Sequence, residues 1–186
     1  VALVSTLNSW YEDEHGQSFK GFLYKLIEQA TNRSLDLYIA VSKIIRDQLL
    51  EHGVPIAAVE LIQNAVAVDE TTIRYDPVWL RQAHHLPESA LVCCAVGRLV
   101  SAKGYEDLID AFGELASGQA EIYCLIVGDG PLYETLNKRI THDGLENRIR
   151  LLGSRSHDEA LSIMRSSDIY VMPSRSEGTP IALLEA

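Results

Sequence analysis

The sequence predicts an α/β protein of parallel sheets with crossover helices, and three observations carry that prediction. Short apolar runs alternate with helical patterns along almost all of the 186 residues. The helical stretches carry the i, i+3, i+4, i+7 apolar stripe of a surface helix. One interval breaks the rhythm: residues 64–88, "NAVAVDETTIRYDPVWLRQAHHLPE", hold two prolines, a polar start and no clear strand. That interval reads as a partly helical linker. Residues 1–66 then close one Rossmann-like domain, residues 67–88 connect, and residues 89–186 form most of a second.

Taken in order, the strand candidates are residues 1–7, 36–41, 59–63, 90–96, 121–127, 150–152 and 168–172. Between the first two lies "SFKGFLYKLIEQA", whose stripe is Phe19, Phe22, Leu23, Leu26, Ile27 and Ala30. Lys20 and Lys25 beside that stripe would suit a membrane surface, but two lysines are few and core packing is the better reading. Ser42 caps "SKIIRDQLLEHG" and Gly53 ends it. The later helices are "YEDLIDAFGEL", "PLYETLNKRI" and "DEALSIMR".

Composition narrows the function. The formal net charge is −10, from 26 acidic against 16 basic side chains, with no Lys/Arg cluster. A nucleic-acid partner is therefore not expected. Cys93, Cys94 and Cys124 all lie in apolar runs without metal-ligand spacing, which predicts buried thiols in a reducing compartment. The apolar runs are too short to span a bilayer and no signal peptide is visible, so the expected location is the cytoplasm. The first strand lacks a leading turn and the last helical pattern lacks a stop signal, which predicts a piece of a longer protein.

Ligands of open parallel sheets gather where strands exit into helices, and three such exits are informative. "VGRLVSAKG", residues 96–104, brings Arg98 and Lys103 onto one short loop behind Gly97. A forked guanidinium and a point ammonium suit a diphosphate, the alternative being two solvated cations. "VGDGP", residues 127–131, reads as a tight strand-to-helix corner with Pro131 at the first helical position, though Asp129 could face the cleft. "MPSRSEGTPIALLEA", residues 172–186, places Glu177 just before a helix with Thr179 as its N-cap and Pro180 as its first residue. Glu185 falls in its second turn, roughly 7–8 Å along the axis from Pro180. A carboxylate accepts a pair of adjacent sugar hydroxyls, and a helix N-terminus favours phosphate. One glutamate per sugar with phosphates between them fits a nucleoside diphosphate sugar; the alternative is two surface acids.

These stretches occur in a telling order. "VGRLVSAKG", "LIVGDGP", "LLG" and "DIYVMPSRSEGTPIALLEA", preceded by "LYIAVSKIIRDQLLEHGVP" and "VELIQNAV", closely resemble the donor-binding half of retaining glycosyltransferase family 4. The resemblance covers nearly the whole chain and implies the two-domain GT-B fold: the tail of the N-terminal acceptor domain, then most of the C-terminal donor-binding domain. It implies that Arg98 and Lys103 hold the donor diphosphate, that Glu177 contacts the transferred sugar and that Glu185 binds the nucleotide ribose. Backbone N–H groups around Gly178, Thr179 and Ile181 would touch sugar and phosphates, with Gly97 beside them. The backbone at Gly153 and Ser154 falls where the family holds the base. Two departures stand out. Asn8 and Ser9, in "TLNSW", occupy the place of a His-Gly pair on the acceptor side, and Asn64-Ala65 replaces the linker's usual Asn-Gly.

The resemblance further implies transfer of a glycosyl unit from a nucleotide sugar to a glycan, lipid or small-molecule hydroxyl with the anomeric configuration kept, and no cofactor. A D-x-D metal triplet is absent, and "YEDEH", residues 11–15, reads as a solvated loop rather than a metal site. A missing N-terminal domain would supply any peripheral membrane contact, at the inner face, and the 186 residues alone would be inactive. Two alternatives stay open: a nucleotide-sugar epimerase of the same fold, and a non-catalytic nucleotide-sugar-binding partner, toward which Asn8 points.

Overall fold

The computed structural model describes residues 2–8, 35–66, 75–116, 118, 121–175 and 177–186. The helix read over residues 19–30 and the acidic stretch at 12–15 lie outside the described residues. Chain contacts divide the molecule into two units, one of residues 1–66 with 176–181 and one of residues 67–175 with 182–186.

The first unit is a three-stranded parallel sheet in the order β1 (Val4–Leu7), β2 (Leu37–Ala40), β3 (Val59–Leu61). Helix α1 (Lys43–Glu51) crosses over from β2 to β3, with the Ser42 hydroxyl accepting from the Ile45 amide at 3.2 Å. This is the cap the sequence predicts. Tyr38 and Ala40 meet Ile45 and Leu49 in the unit's core.

The second unit is a four-stranded parallel sheet in the order β6-β5-β4-β7. Its strands are β4 (Leu91–Val96), β5 (Ile122–Val127), β6 (Ile149–Gly153) and β7 (Ile169–Tyr170). The helices are α2 (Pro77–Ala83), α3 (Tyr105–Ala116), α4 (Tyr133–His142), α5 (His157–Ser166) and α6 (Ile181–Glu185), of which Ile181 groups with the first unit. Side chains alternate across a strand, and β4 is covered on both sides. Cys93 and Ala95 pack with Ile109, Phe112, Leu136 and Ile140 of α3 and α4. Val92 and Cys94 pack with Leu80, Leu161 and Met164 of α2 and α5. That two-sided burial is why β4 reads as an unbroken apolar run. Cys93, Cys94 and Cys124 are buried free thiols.

Two element boundaries that border the site differ from the sequence reading. Helix α4 begins at Tyr133, because Pro131 and Leu132 form a turn in which the Tyr133 amide donates to the Gly130 carbonyl at 3.0 Å. β7 is paired with β4 only over Ile169 and Tyr170, since the chain beyond turns toward the loop that leaves β4. The interval read as a partly helical linker contains the helix α2, capped by Asp76 with Pro77 at its start. Among the described residues no helix is long and apolar enough to cross a membrane.

Candidate functional site

The strand order of the second unit creates a switch point. From β4 the chain moves outward through β5 to β6, then returns to the opposite side of β4 as β7. The carboxyl ends of β4 and β7, on either side of that reversal, are where sheets of this kind bind ligands.

The loop from β4 carries two of the predicted cations and is pinned at several points. Leu99 is fully buried, its amide donating to the Asp129 carbonyl at 2.9 Å and its carbonyl accepting from Leu132 at 3.1 Å. Arg98, next to this anchor, is exposed. Ser101–Lys103 form a 3-10 turn that places Lys103 half-buried at its end. Gly104 then closes the turn in the left-handed region at φ 65°. A Cβ there would sit 2.2 Å from the Pro173 carbonyl oxygen. Gly97 is approached by the buried Tyr105, whose hydroxyl would be 2.9 Å from a Cβ added at position 97.

The segment beyond β7 joins this loop. The Arg175 amide donates to the Ala102 carbonyl at 3.0 Å. Its guanidinium grips Asp107 through three contacts of 3.0–3.1 Å. Neither partner stood out in the sequence, because they are 68 positions apart.

At the exits of β5 and β6 an open pocket of about 410 Å³ is lined by Asp129, Gly130, Pro131, Tyr133, Glu134 and Gly153. The "VGDGP" corner is thus both a turn and a pocket wall. Asp129 accepts from the Gly130 amide at 2.7 Å. Ser154 is exposed immediately after Gly153. Glu185, largely buried at 18% side-chain exposure, has the His157 ring nitrogen 3.7 Å from its carboxylate. His157 was not singled out in the sequence; its position at the start of α5 was the available signal.

The remaining predicted residues belong to the first unit. There the carboxyl ends of the three strands receive Gly178 and Thr179. Gly178 lies so close to the end of β1 that a Cβ would meet the Asn8 carbonyl oxygen at 2.1 Å. The Thr179 hydroxyl donates to the Val41 carbonyl at 2.8 Å, beyond β2. The Asn64 amide donates to the Thr179 carbonyl at 3.2 Å, beyond β3. The helix starts at Ile181 rather than at Pro180, and the hydroxyl of Thr179, read as its cap, donates to Val41. Glu177 is partly buried in the same segment. The predicted residues divide accordingly, with Asn8, Glu177, Gly178, Thr179 and Ile181 in one unit and Gly97, Arg98, Lys103, Gly153, Ser154 and Glu185 in the other. Among the described residues no group of three or more His, Cys, Asp or Glu side chains could hold a metal ion.

Comparison with known proteins agrees with this fold. The family model described as glycosyl transferases group 1 matches residues 80–186. An uncharacterized glycosyltransferase of Methanocaldococcus jannaschii, MJ1178, is 37% identical over 168 residues, covering 90% of this chain and 41% of the relative. A GDP-mannose-dependent alpha-(1-6)-phosphatidylinositol monomannoside mannosyltransferase of Mycobacterium tuberculosis is 31% identical over 162 residues, covering 81% and 41%. Among solved structures, HepE of Anabaena in complex with UDP and glucose superposes with a TM-score of 0.78 at 24% identity, covering 100% of this chain and 50% of that one. The fold is thereby the GT-B type. The chain spans less than half the length of the two curated relatives.

Proposed function

The chain belongs to the glycosyl transferases group 1 family, and from that premise we propose that the protein is a retaining glycosyltransferase. It moves a sugar from a nucleoside diphosphate sugar to an acceptor hydroxyl on a glycan, lipid or small molecule. The observation that carries the reading is the β4 loop, which brings Arg98 and Lys103 to the carboxyl end of a strand at the switch point of the sheet. HepE, solved with UDP and glucose, and the GDP-mannose-dependent relative support a nucleotide sugar as donor.

In this reading residues 1–66 end the acceptor domain, residues 67–88 connect, and residues 89–186 bind the donor. Arg98 and Lys103 hold the diphosphate and stabilise the negative charge that grows on it as the glycosidic bond breaks. Glu177 contacts the transferred sugar, and Glu185 accepts from the ribose hydroxyls. Backbone N–H groups of Gly178, Thr179 and Ile181 complete the sugar and phosphate contacts, with Gly97 beside them. Gly153 and Ser154 lie along the base. Asn8 stands on the acceptor side as a hydrogen-bonding group, which cannot exchange a proton near neutral pH. No protein nucleophile is assigned; an oxygen of the leaving phosphate takes the acceptor proton. The reaction runs without a metal ion or other cofactor, in the cytoplasm or at the inner face of the membrane.

The test uses the protein from its complete reading frame, incubated with UDP-, GDP- and ADP-sugars with and without an acceptor mixture, and follows the anomeric protons by NMR. Acceptor-dependent transfer with retained configuration is expected. Inverted product would remove the retaining mechanism. An epimer formed without acceptor would establish an epimerase, and binding without turnover would establish a nucleotide-sugar-binding partner.

A further inference from the structure

We propose that Arg175 and Asp107 form a clasp that positions the diphosphate-binding loop, making Arg175 a positioning residue for donor binding; this rests on the glycosyltransferase reading above. The loop from β4 reaches Lys103 through a 3-10 turn of only three residues, and a short turn has little stiffness of its own. Its stiffness comes from what lies against it. On one side Leu99 is fixed by Asp129 and Leu132. On the other side stands the segment after β7. Arg175 donates its amide to Ala102, inside the turn that ends at Lys103. Its guanidinium holds both carboxylate oxygens of Asp107, on the first turn of α3. Pro173 presses against Gly104 between them. The turn carrying Lys103 is thus gripped at Ala102, at Gly104 and, through α3, at Asp107.

The clasp has a second consequence, through charge. The Asp107 carboxylate lies 3.5 Å from the point where a Cβ on Gly104 would stand, one residue beyond Lys103. Left unpaired it would place a negative charge beside a loop that must attract a diphosphate. The bidentate fork of Arg175 neutralises it, with a geometry that lysine cannot reproduce. Both side chains are about half exposed, 51% and 58%. Exposed pairs add little to folding stability, so a clasp in this position serves the loop rather than the fold.

The experiment titrates the protein from its complete reading frame with UDP, GDP and ADP by calorimetry, for wild type, Arg175→Ala, Asp107→Ala, the double variant and Arg175→Lys. Wild type is expected to bind at least one of the three. Arg175→Ala, which breaks the clasp and leaves the Asp107 charge unpaired, should weaken that binding by about tenfold, and Asp107→Ala, which breaks the clasp but removes that charge, should weaken it by less. The double variant should be no weaker than the poorer single one, and Arg175→Lys should fall between wild type and Arg175→Ala. In donor-sugar turnover, KM should rise by more than kcat falls, while the thermal midpoint stays near wild type. Arg175→Ala protein that binds within about twofold of wild type would overturn the clasp, as would single effects that simply multiply in the double variant. Wild-type protein that binds none of the three would overturn the glycosyltransferase reading and the clasp together.

Discussion

Gly104 lies so close to Pro173 that no side chain fits between them: a Cβ would stand 2.2 Å from the Pro173 carbonyl oxygen. The contact is backbone against backbone, so no flexible side chain can give way. Gly104 is also held at φ 65°, where an L-residue costs about 1–2 kcal/mol. Gly104→Ala is therefore expected to lose at least about 1–2 kcal/mol in urea unfolding. Gly104→Asn separates the two causes. Asparagine tolerates the left-handed backbone but still carries a Cβ, so it should remain destabilised. An asparagine variant of full stability would mean the collision is relieved at no cost.

The short strand β7 is held to the sheet by Asp168, just before it. One carboxylate oxygen accepts from the Val92 amide and from the Arg81 guanidinium, both at 2.7 Å. Arg81 also donates to the Ala90 carbonyl at 2.8 Å, with its side chain only 13% exposed. Removing the carboxylate strands a largely buried cation and an amide. Asp168→Ala is expected to cost about 1.5–3 kcal/mol, read as a shift in the urea midpoint at unchanged slope. Asp168→Asn keeps an acceptor and should recover part of that loss.

The strands and most helices were legible because their signals are local. The apolar run of β4 and the Ser42 cap announce themselves within a few residues, and both form as read. What the sequence hid is long-range. Thr179 reads as a local cap, and nothing near it in sequence signals that its hydroxyl also donates to Val41, 138 positions away. Arg175 and Asp107 are 68 positions apart and neither belongs to a local pattern. Gly104 is a plain loop glycine until Pro173 arrives beside it. The β4 loop was recognisable by its cations, Arg98 and Lys103, but what stiffens it is contributed by other parts of the fold. The Ser-x-x-Glu signal at Ser156 is local, four residues that mark the start of a helix by themselves.

That signal is a complete capping box at the start of α5. The Ser156 hydroxyl accepts from the Glu159 amide at 3.3 Å, and the Glu159 carboxylate accepts from the Ser156 amide at 3.0 Å. Ser156→Ala is expected to cost about 1 kcal/mol. The Ser156 hydroxyl and amide also hold the Glu159 carboxyl below its ordinary range. A depressed carboxyl stabilises the fold above its unfolded pKa, about 4.3, and loses that contribution as pH falls through the folded value. The stability gap between wild type and Glu159→Gln should therefore be present at neutral pH and close in acid. A gap that persists at the lowest pH of the native range would show that charge is not its source.

Burial pushes all three thiols up, Cys94 to about 12 and Cys124 well above the ordinary range. Thiolate is the reactive form, so native protein should resist a disulfide reagent at neutral pH and all three cysteines should react once it is unfolded. The sign of the linkage follows. Unfolded thiols ionise near 8.5, so the contribution of Cys94 to stability is complete below that pH and declines as pH rises toward about 12. Replacing Cys94 by serine would remove its share of this alkaline decline. Rapid labelling of the native state would mean that the β4–β5 core opens readily.

Arg98 separates binding chemistry from folding most cleanly. It is exposed, while its neighbour Leu99 is fully buried and fixes the backbone on both sides. Truncating Arg98 leaves that anchor in place, so Arg98→Ala should change stability by no more than about 0.5 kcal/mol. If the guanidinium stabilises charge on a departing diphosphate, the same change should lower kcat by about 10²–10³. Arg98→Lys keeps the charge and loses the fork, so it should regain only part of that rate. Unchanged turnover in Arg98→Ala would remove this arginine from the donor site and leave the diphosphate to Lys103. A fall in KM alongside kcat would instead show that Arg98 strains the bound donor rather than stabilising its transition state.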